Sequence, residues 1–187
     1  MIEVYAITDH PAPPLPGPAQ LVVVPTGDLA AVCAPAGDGE ATPEALWRHE
    51  ELVEALMEDR DLLPVRYGTR FEDEQAAAGA VRSRHADLSA ALDRVRGAVE
   101  LSLRVLDTRD PAAGDAVDAI HAPLAELARA TAQRPVRAAR ELLRASYLVD
   151  RDAVGPFADR VGRLQAANPH LRLLCTGPWP PYSFAEP

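Results

Sequence analysis

Two kinds of periodicity in one chain predict an α+β fold built as two modules. In the first half, short apolar runs broken by turn residues lead into Leu46, Leu52, Val53, Leu56 and Met57, which share one face at helical spacing. In the second half, Val99, Leu101, Leu103 and Val105 alternate with Glu100, Ser102 and Arg104, the pattern of a half-buried strand. Gly97 closes a long helical stretch between them, so the boundary is placed there. The expected divisions are an N-terminal α+β module over 1–97, a C-terminal module over 98–176, and a proline- and aromatic-rich tail over 177–187.

Taken in order, Ile2 to Thr8 reads as a first strand, and the proline-rich stretch from Asp9 to Gln20 as a stiff connecting loop. Leu21 to Val24 and Leu29 to Ala34 form a hairpin across Thr26-Gly27-Asp28. Thr42 is a good N-cap, and Pro43 stands at the first helical position, where its missing N–H costs nothing. Glu50, Glu54 and Glu58 recur every fourth residue and are placed on the wet side of this helix. After Asp61 the period changes, and 62–65 reads as a short buried strand that Pro64 makes either an edge or irregular at its start. The first module is then an antiparallel sheet covered on one face. One long helix follows, with Val81, His85, Leu88, Leu92 and Val95 as its stripe.

The second module opens on the alternating strand. A helix is expected from about 116 to 131, interrupted or restarted at Pro123, then a short strand at 136–139, where Arg137 and Arg140 leave helix as the alternative, and a better strand at 142–149. A helix over 153–167 carries Val154, Phe157, Val161 and Leu164, and a last strand spans 171–176. The order β-α-β-β-α-β is that of a ferredoxin-like split unit.

Two motifs carry a resemblance. HEELVEAL followed by LLPVRYGTRF, and the C-terminal TGPWPPYSF from Thr176 to Phe184, are similar to the central and C-terminal signatures of the gas vesicle protein F/L family. The resemblance spans nearly the whole chain and is thinnest in the proline-rich loop. It implies an α+β N-terminal domain and a ferredoxin-like C-terminal domain. It also implies an accessory or minor structural role in vesicle assembly. The implied partners are the small, hydrophobic major shell protein and other accessory proteins, and the implied location is the cytoplasm and the gas vesicle.

Composition limits the alternatives. Aromatics make up 5% of 187 residues, so alanine, leucine and valine must build the core. All the basic residues are arginine, and the formal net charge of -9 does not attract nucleic acid or anionic lipid over long range. Cys33 and Cys175 read as buried free thiols. No apolar run reaches the roughly 20 residues of a spanning helix, and no signal peptide is visible. The expected partners therefore exclude nucleic acid and membrane, and no small-molecule substrate is expected among them.

His49 precedes two glutamates, but a zinc-protease motif needs histidine where Val53 stands. His49 is read as a core-edge histidine with a backbone or carboxylate partner, and His85 is placed in the second helix's stripe in the same way. His10, His121 and His170 look exposed. Neither Ser146 nor Ser183 sits in a nucleophile elbow, and there is no phosphate loop or dinucleotide fingerprint. No catalytic residue, cofactor or metal is expected. The exposed face of the second module's first strand would show Glu100, Ser102 and Arg104 without an aromatic, and Tyr147 is the one ring on the other strong strand. That disfavours RNA binding.

The candidate partner-binding residues are Arg66, Tyr67 and Gly68 in the turn, and Trp179, Tyr182 and Phe184 in the tail. For the turn, the alternative is an arginine paired to the Glu-rich helix. For the tail, it is a segment that folds back over a sheet edge or the seam between modules. The rival function is a small-ligand-binding or enzymatic ferredoxin-like protein. An enzyme should show a polar pocket with convergent titratable groups; an assembly protein should show an apolar groove and no such pocket.

Overall fold

The computed structural model describes residues 1–11, 20–37, 42–108, 114–136 and 140–186, with the side chains of 114–116 left out. Most of the expected proline-rich loop and part of the expected strand at 136–139 lie outside these residues. The chain divides into unit 1, residues 1–96 with 180–187, and unit 2, residues 97–179. Both are mixed α and β with antiparallel sheets.

Unit 1 runs β1 (Ile2–Asp9), β2 (Val22–Pro25), β3 (Leu29–Pro35), α1 (Pro43–Met57), β4 (Leu62–Pro64), β5 (Arg70–Phe71), α2 (Glu74–Ser83) and α3 (His85–Val95). Its strands lie in the order β2-β3-β1-β4, with the short β5 also paired to β1. Pro64 is on the edge strand, as its missing N–H requires. The α1 cap forms as expected, with Thr42 Oγ1 accepting the Ala45 N–H at 3.2 Å.

Four expectations for unit 1 are corrected. Leu29 to Cys33 are buried without a break, so β3 is covered on both faces rather than one. A continuous apolar run, unlike an alternating one, is what two-sided burial demands. α1 packs against β1 and β4, α2 against β3 and β2, and α3 against β4 and β1. The long second helix is two helices, broken at Arg84, where φ is -117° and ψ 18°. Ser83 Oγ bonds back to the Ala80 carbonyl at 2.8 Å, a local competitor to helix continuation. The break turns His85 outward, where it is only half-buried and meets Asp28 at 2.5 Å. On α1, Leu46 is exposed, His49 is buried in the apolar face, and Glu50 and Glu54 are half-buried rather than wet. Burial, then Glu50 and Glu51, hold the Glu54 carboxyl above its ordinary pKa.

Unit 2 runs β6 (Ala98–Asp107), α4 (Gly114–Ala125), β7 (Ala130–Gln133), β8 (Glu141–Asp150), a 3-10 turn (Arg151–Ala153), α5 (Val154–Ala167) and β9 (Leu171–Trp179). The sheet order β7-β8-β6-β9 is that of the ferredoxin-like unit. Its core joins Leu101, Leu103 and Val105 of β6 to Leu143, Ala145 and Tyr147 of β8, under Ile120, Leu124, Phe157 and Val161 of the helices.

A strand of this unit lies at 130–133; of the expected strand at 136–139, Val136 is not in a strand and 137–139 lie outside the described residues. Ala130-Thr131-Ala132-Gln133 has little strand character of its own, and its pairing with 145–148 of β8 makes it one. β9 continues through Pro178 to Trp179, where a proline-barred tail was expected. A proline is tolerated because β9 is an edge strand and its register shifts opposite Glu100 and Ser102. Glu100 is buried, not exposed, and Tyr147 lies in the core rather than on an open sheet face. His121 is half-buried on α4, its Nδ1 2.8 Å from Tyr147 Oη. Cys33 is buried and Cys175 only half-buried; both are free.

Candidate functional site

The turn after β4 is built around Gly68, whose φ of +82° is a left-handed conformation that favours glycine. Thr69 closes it, donating its N–H and its hydroxyl to the Arg66 carbonyl at 3.2 and 2.8 Å. Arg66 is exposed and pairs with Glu186 of the tail at 2.7 Å, not with the Glu-rich helix. Both partners are in water, so the pair is worth little.

Beneath the turn lies a buried polar cluster. His49 is 1% exposed and Glu3 of β1 is 4% exposed. His49 Nδ1 meets Glu3 Oε1 at 3.2 Å and Nε2 meets the Val65 carbonyl at 2.8 Å. Both partners are acceptors. The two bonds together need one proton more than a neutral imidazole and an ionised carboxylate hold. The Gly68 N–H also donates to Glu3 Oε1, at 3.2 Å, and Arg70 Nε stands 3.6 Å from Glu3 Oε2. Tyr5 stacks on the imidazole at 4.7 Å and Tyr67 meets it edge-on at 5.6 Å. Burial, with the charge of Glu3 behind it, raises the Tyr5 pKa, so its hydroxyl stays a donor. These residues, with Arg48, border a half-open cavity of about 310 Å³.

The tail residues 180–187 belong to unit 1, while Trp179 ends β9 in unit 2. Pro180, Pro181 and Phe184 are buried and Tyr182 is half-buried. Tyr182 borders a second cavity of about 240 Å³ with Ile7, Leu63, Pro64, Val65 and Leu88. Its hydroxyl is buried without a hydrogen-bond partner. Burial, and then the Glu50 carboxylate standing near it outside good hydrogen-bond geometry, push the phenol pKa well up. Trp179 is 39% exposed, with Nε1 3.2 Å from Thr176 Oγ1.

The family profile described as gas vesicle synthesis protein GvpL/GvpF matches residues 2–118 and 107–186. The chain belongs to the GvpL/GvpF family. It is 29% identical to gas vesicle protein F2 of Halobacterium salinarum over 155 residues, covering 80% of this chain and 71% of that one. To gas vesicle protein L of a Streptomyces species it is 29% identical, over 85% of this chain and 80% of that one. The fold matches crystal structures of gas vesicle protein GvpF from Microcystis aeruginosa and Anabaena, with TM-scores of 0.85 and 0.81. Those matches cover all of this chain and 99% and 96% of the others, at 16% and 17% identity.

The GvpL/GvpF motifs thus fall in different places. Tyr67 and Gly68 roof the buried His49–Glu3 pair, Arg66 faces water, Tyr182 and Phe184 are laid into unit 1, and Trp179 stays on unit 2. Trp47 went unnoticed in the sequence. It is 70% exposed beside the 46% exposed Leu46. The signal was there: a tryptophan off the helix's apolar stripe. Glu3, Tyr5, Arg48 and Arg70 were also missed, because nothing local ties β1 to a helix some forty residues on. An enzyme was expected to show a polar pocket and an assembly protein an apolar groove with no such pocket; unit 1 of this GvpL/GvpF chain carries a polar pocket and a second, mainly apolar one, so this criterion does not separate the two readings. Among the described residues no helix is long and apolar enough to cross a membrane, and no metal-binding cluster is found.

Proposed function

We propose that this chain acts in gas vesicle assembly by binding, with the hydrophobic major shell protein and other accessory proteins as its partners, and without catalysis. Membership of the GvpL/GvpF family supports the process, and the exposed Trp47 supports the mode of contact. A shell subunit with an apolar face would self-associate in water. A partner offering Leu46 and Trp47 covers part of that face, and a formal net charge of -9 resists aggregation of the complex. Tryptophan is a frequent interface anchor because it brings a large rigid apolar area at little entropic cost. Trp179 is a second, separate anchor candidate, and Arg66 and Gly68 offer an exposed polar corner. Tyr182 and Phe184 contribute only if the tail leaves unit 1.

Co-purification of the shell protein with the tagged chain tests this. Trp47→Ala should lower retention by about thirtyfold, the effect of losing one hot spot of about 2 kcal/mol. A Trp179→Ala/Tyr182→Ala double variant separates the tail region from α1. Retention unchanged in all of these folded variants would remove apolar anchoring from the mechanism.

A further inference from the structure

We propose that the cavity roofed by the Arg66–Arg70 turn in unit 1 is a carboxylate-binding site, formed by Arg48, Arg70, Tyr5 and Tyr67 around the buried His49–Glu3 pair. The inference stands apart from the assembly role.

The donors and acceptors do not balance. Among the described residues that line the cavity the one carboxylate, Glu3, is consumed by His49, by the Gly68 N–H and by the charge of Arg70. His49 is consumed as well, one nitrogen on Glu3 and the other on the Val65 carbonyl. What remains are donors. Arg48 is exposed and Tyr5 and Tyr67 are half-buried beside the cavity, and Arg70 Nε is buried without a hydrogen-bond partner. A buried donor left unmet, beside solvent-facing donors around one space, suits a ligand that accepts.

Charge selects the kind of acceptor. Arg48 and Arg70 bring two positive charges and Glu3 one negative, and the two His49 bonds call for one further proton, so the described residues of the site are net positive. This is a positive spot on an acidic chain, and it favours an anion. A phosphate dianion would bring a second negative charge toward Glu3. Arginine's planar fork matches a carboxylate edge to edge, and the two tyrosine rings bound the space. A volume of about 310 Å³ holds one small acid or one end of a peptide. The carboxylate can come from a free acid or from the end or an acidic side chain of a polypeptide.

Amide chemical-shift titration of the full-length protein at low salt tests the site. The probes are acetate, succinate, inorganic phosphate, and a short peptide with either a free C-terminal carboxylate or a C-terminal amide. The expected result is saturable shifts centred on Tyr67, Gly68 and Arg70 with the carboxylates. Arg48→Gln should weaken binding about tenfold, the loss of one charge-assisted hydrogen bond, while leaving the spectrum otherwise unchanged because Arg48 is exposed. Tyr67→Phe keeps the ring against His49 and should weaken binding severalfold. Succinate binding without the peptide assigns a free acid; binding of the carboxylate peptide but not its amide assigns a polypeptide. Linear shifts without saturation, tighter binding of phosphate, or affinity unchanged in both variants would overturn the proposal.

Discussion

Counted within each unit, the two sheets have one strand order, second-third-first-fourth, and all their pairs are antiparallel. The links differ. In unit 2, α4 joins the first strand to the second and α5 the third to the fourth. In unit 1 the second link is a helix, α1; most of the first lies outside the described residues, and its sequence carries prolines at 11, 13, 14, 16 and 18. The same strand pairing holds in both units while different elements shield the sheet. α2 and α3, added after the fourth strand, do this in unit 1. Each unit also sets a helical histidine against a strand tyrosine. In unit 2, His121 caps Tyr147, and Phe157 closes the core beside it at 5.1 Å. In unit 1, His49 on Tyr5 is joined by a buried carboxylate and borders a cavity. One pair finishes a core; the other serves a site.

The sharpest way to break this contrast is at the two cores. Phe157→Ala should cost unit 2 about 3–5 kcal/mol, since the ring is fully buried among Tyr147 and the β6 side chains. Urea unfolding followed through Trp179 in a Trp47→Phe background reads it. His49→Ala should cost unit 1 about 3 kcal/mol, because Glu3 is left buried beside an empty space. His121→Ala should cost only about 1 kcal/mol, one bond on a half-buried ring. Equal losses for the two histidines would erase the distinction between site and core.

Smaller effects refine the comparison. Gly177 has φ +122°, and a Cβ there would stand 2.8 Å from the Glu100 carbonyl and 2.9 Å from Leu101 Cδ2. Gly177→Ala should cost about 2 kcal/mol by thermal unfolding. Gly97→Ala, at φ +70° with its nearest neighbour 3.8 Å away, should cost about 1 kcal/mol. The smallest difference is at alkaline pH. Burial raises the phenol pKa of Tyr147 in unit 2 and of Tyr5 and Tyr182 in unit 1. The unfolded chain then loses those protons first, so stability is full below about pH 10 and falls as pH climbs toward the folded values. Tyr147→Phe should flatten that fall for unit 2. Tyr182→Phe should flatten it for unit 1 and be near neutral at pH 7, because the hydroxyl it removes has no partner. An unchanged slope in either variant would show that its phenol is not what titrates.

Periodicity made most of the architecture legible. The strands at 2–9, 29–35, 98–107 and 141–150 and the helices at 43–57 and 154–167 were readable within about a residue or two, since each buries a patterned face. The weak elements were not. Ala130–Gln133 is a strand only because β8 accepts it, and Pro178 is in a strand only because β9 is an edge. The family motifs marked the Arg66–Arg70 turn and the tail but not their surroundings. That Arg66 meets Glu186, and that Tyr182 lies against the Glu face of α1, depends on contacts across more than a hundred residues.

The sequence by itself determined which segments are helix or strand, the cap at Thr42, the left-handed turn at Gly68 and the family signatures, because each rests on neighbours in the chain. Tertiary structure alone decided that Glu3 meets His49, that Arg48 and Arg70 flank one cavity, and that Trp47 is left in water while Phe184 is not. Burial and charge pairing are properties of where distant segments come to rest, and local pattern does not carry that information.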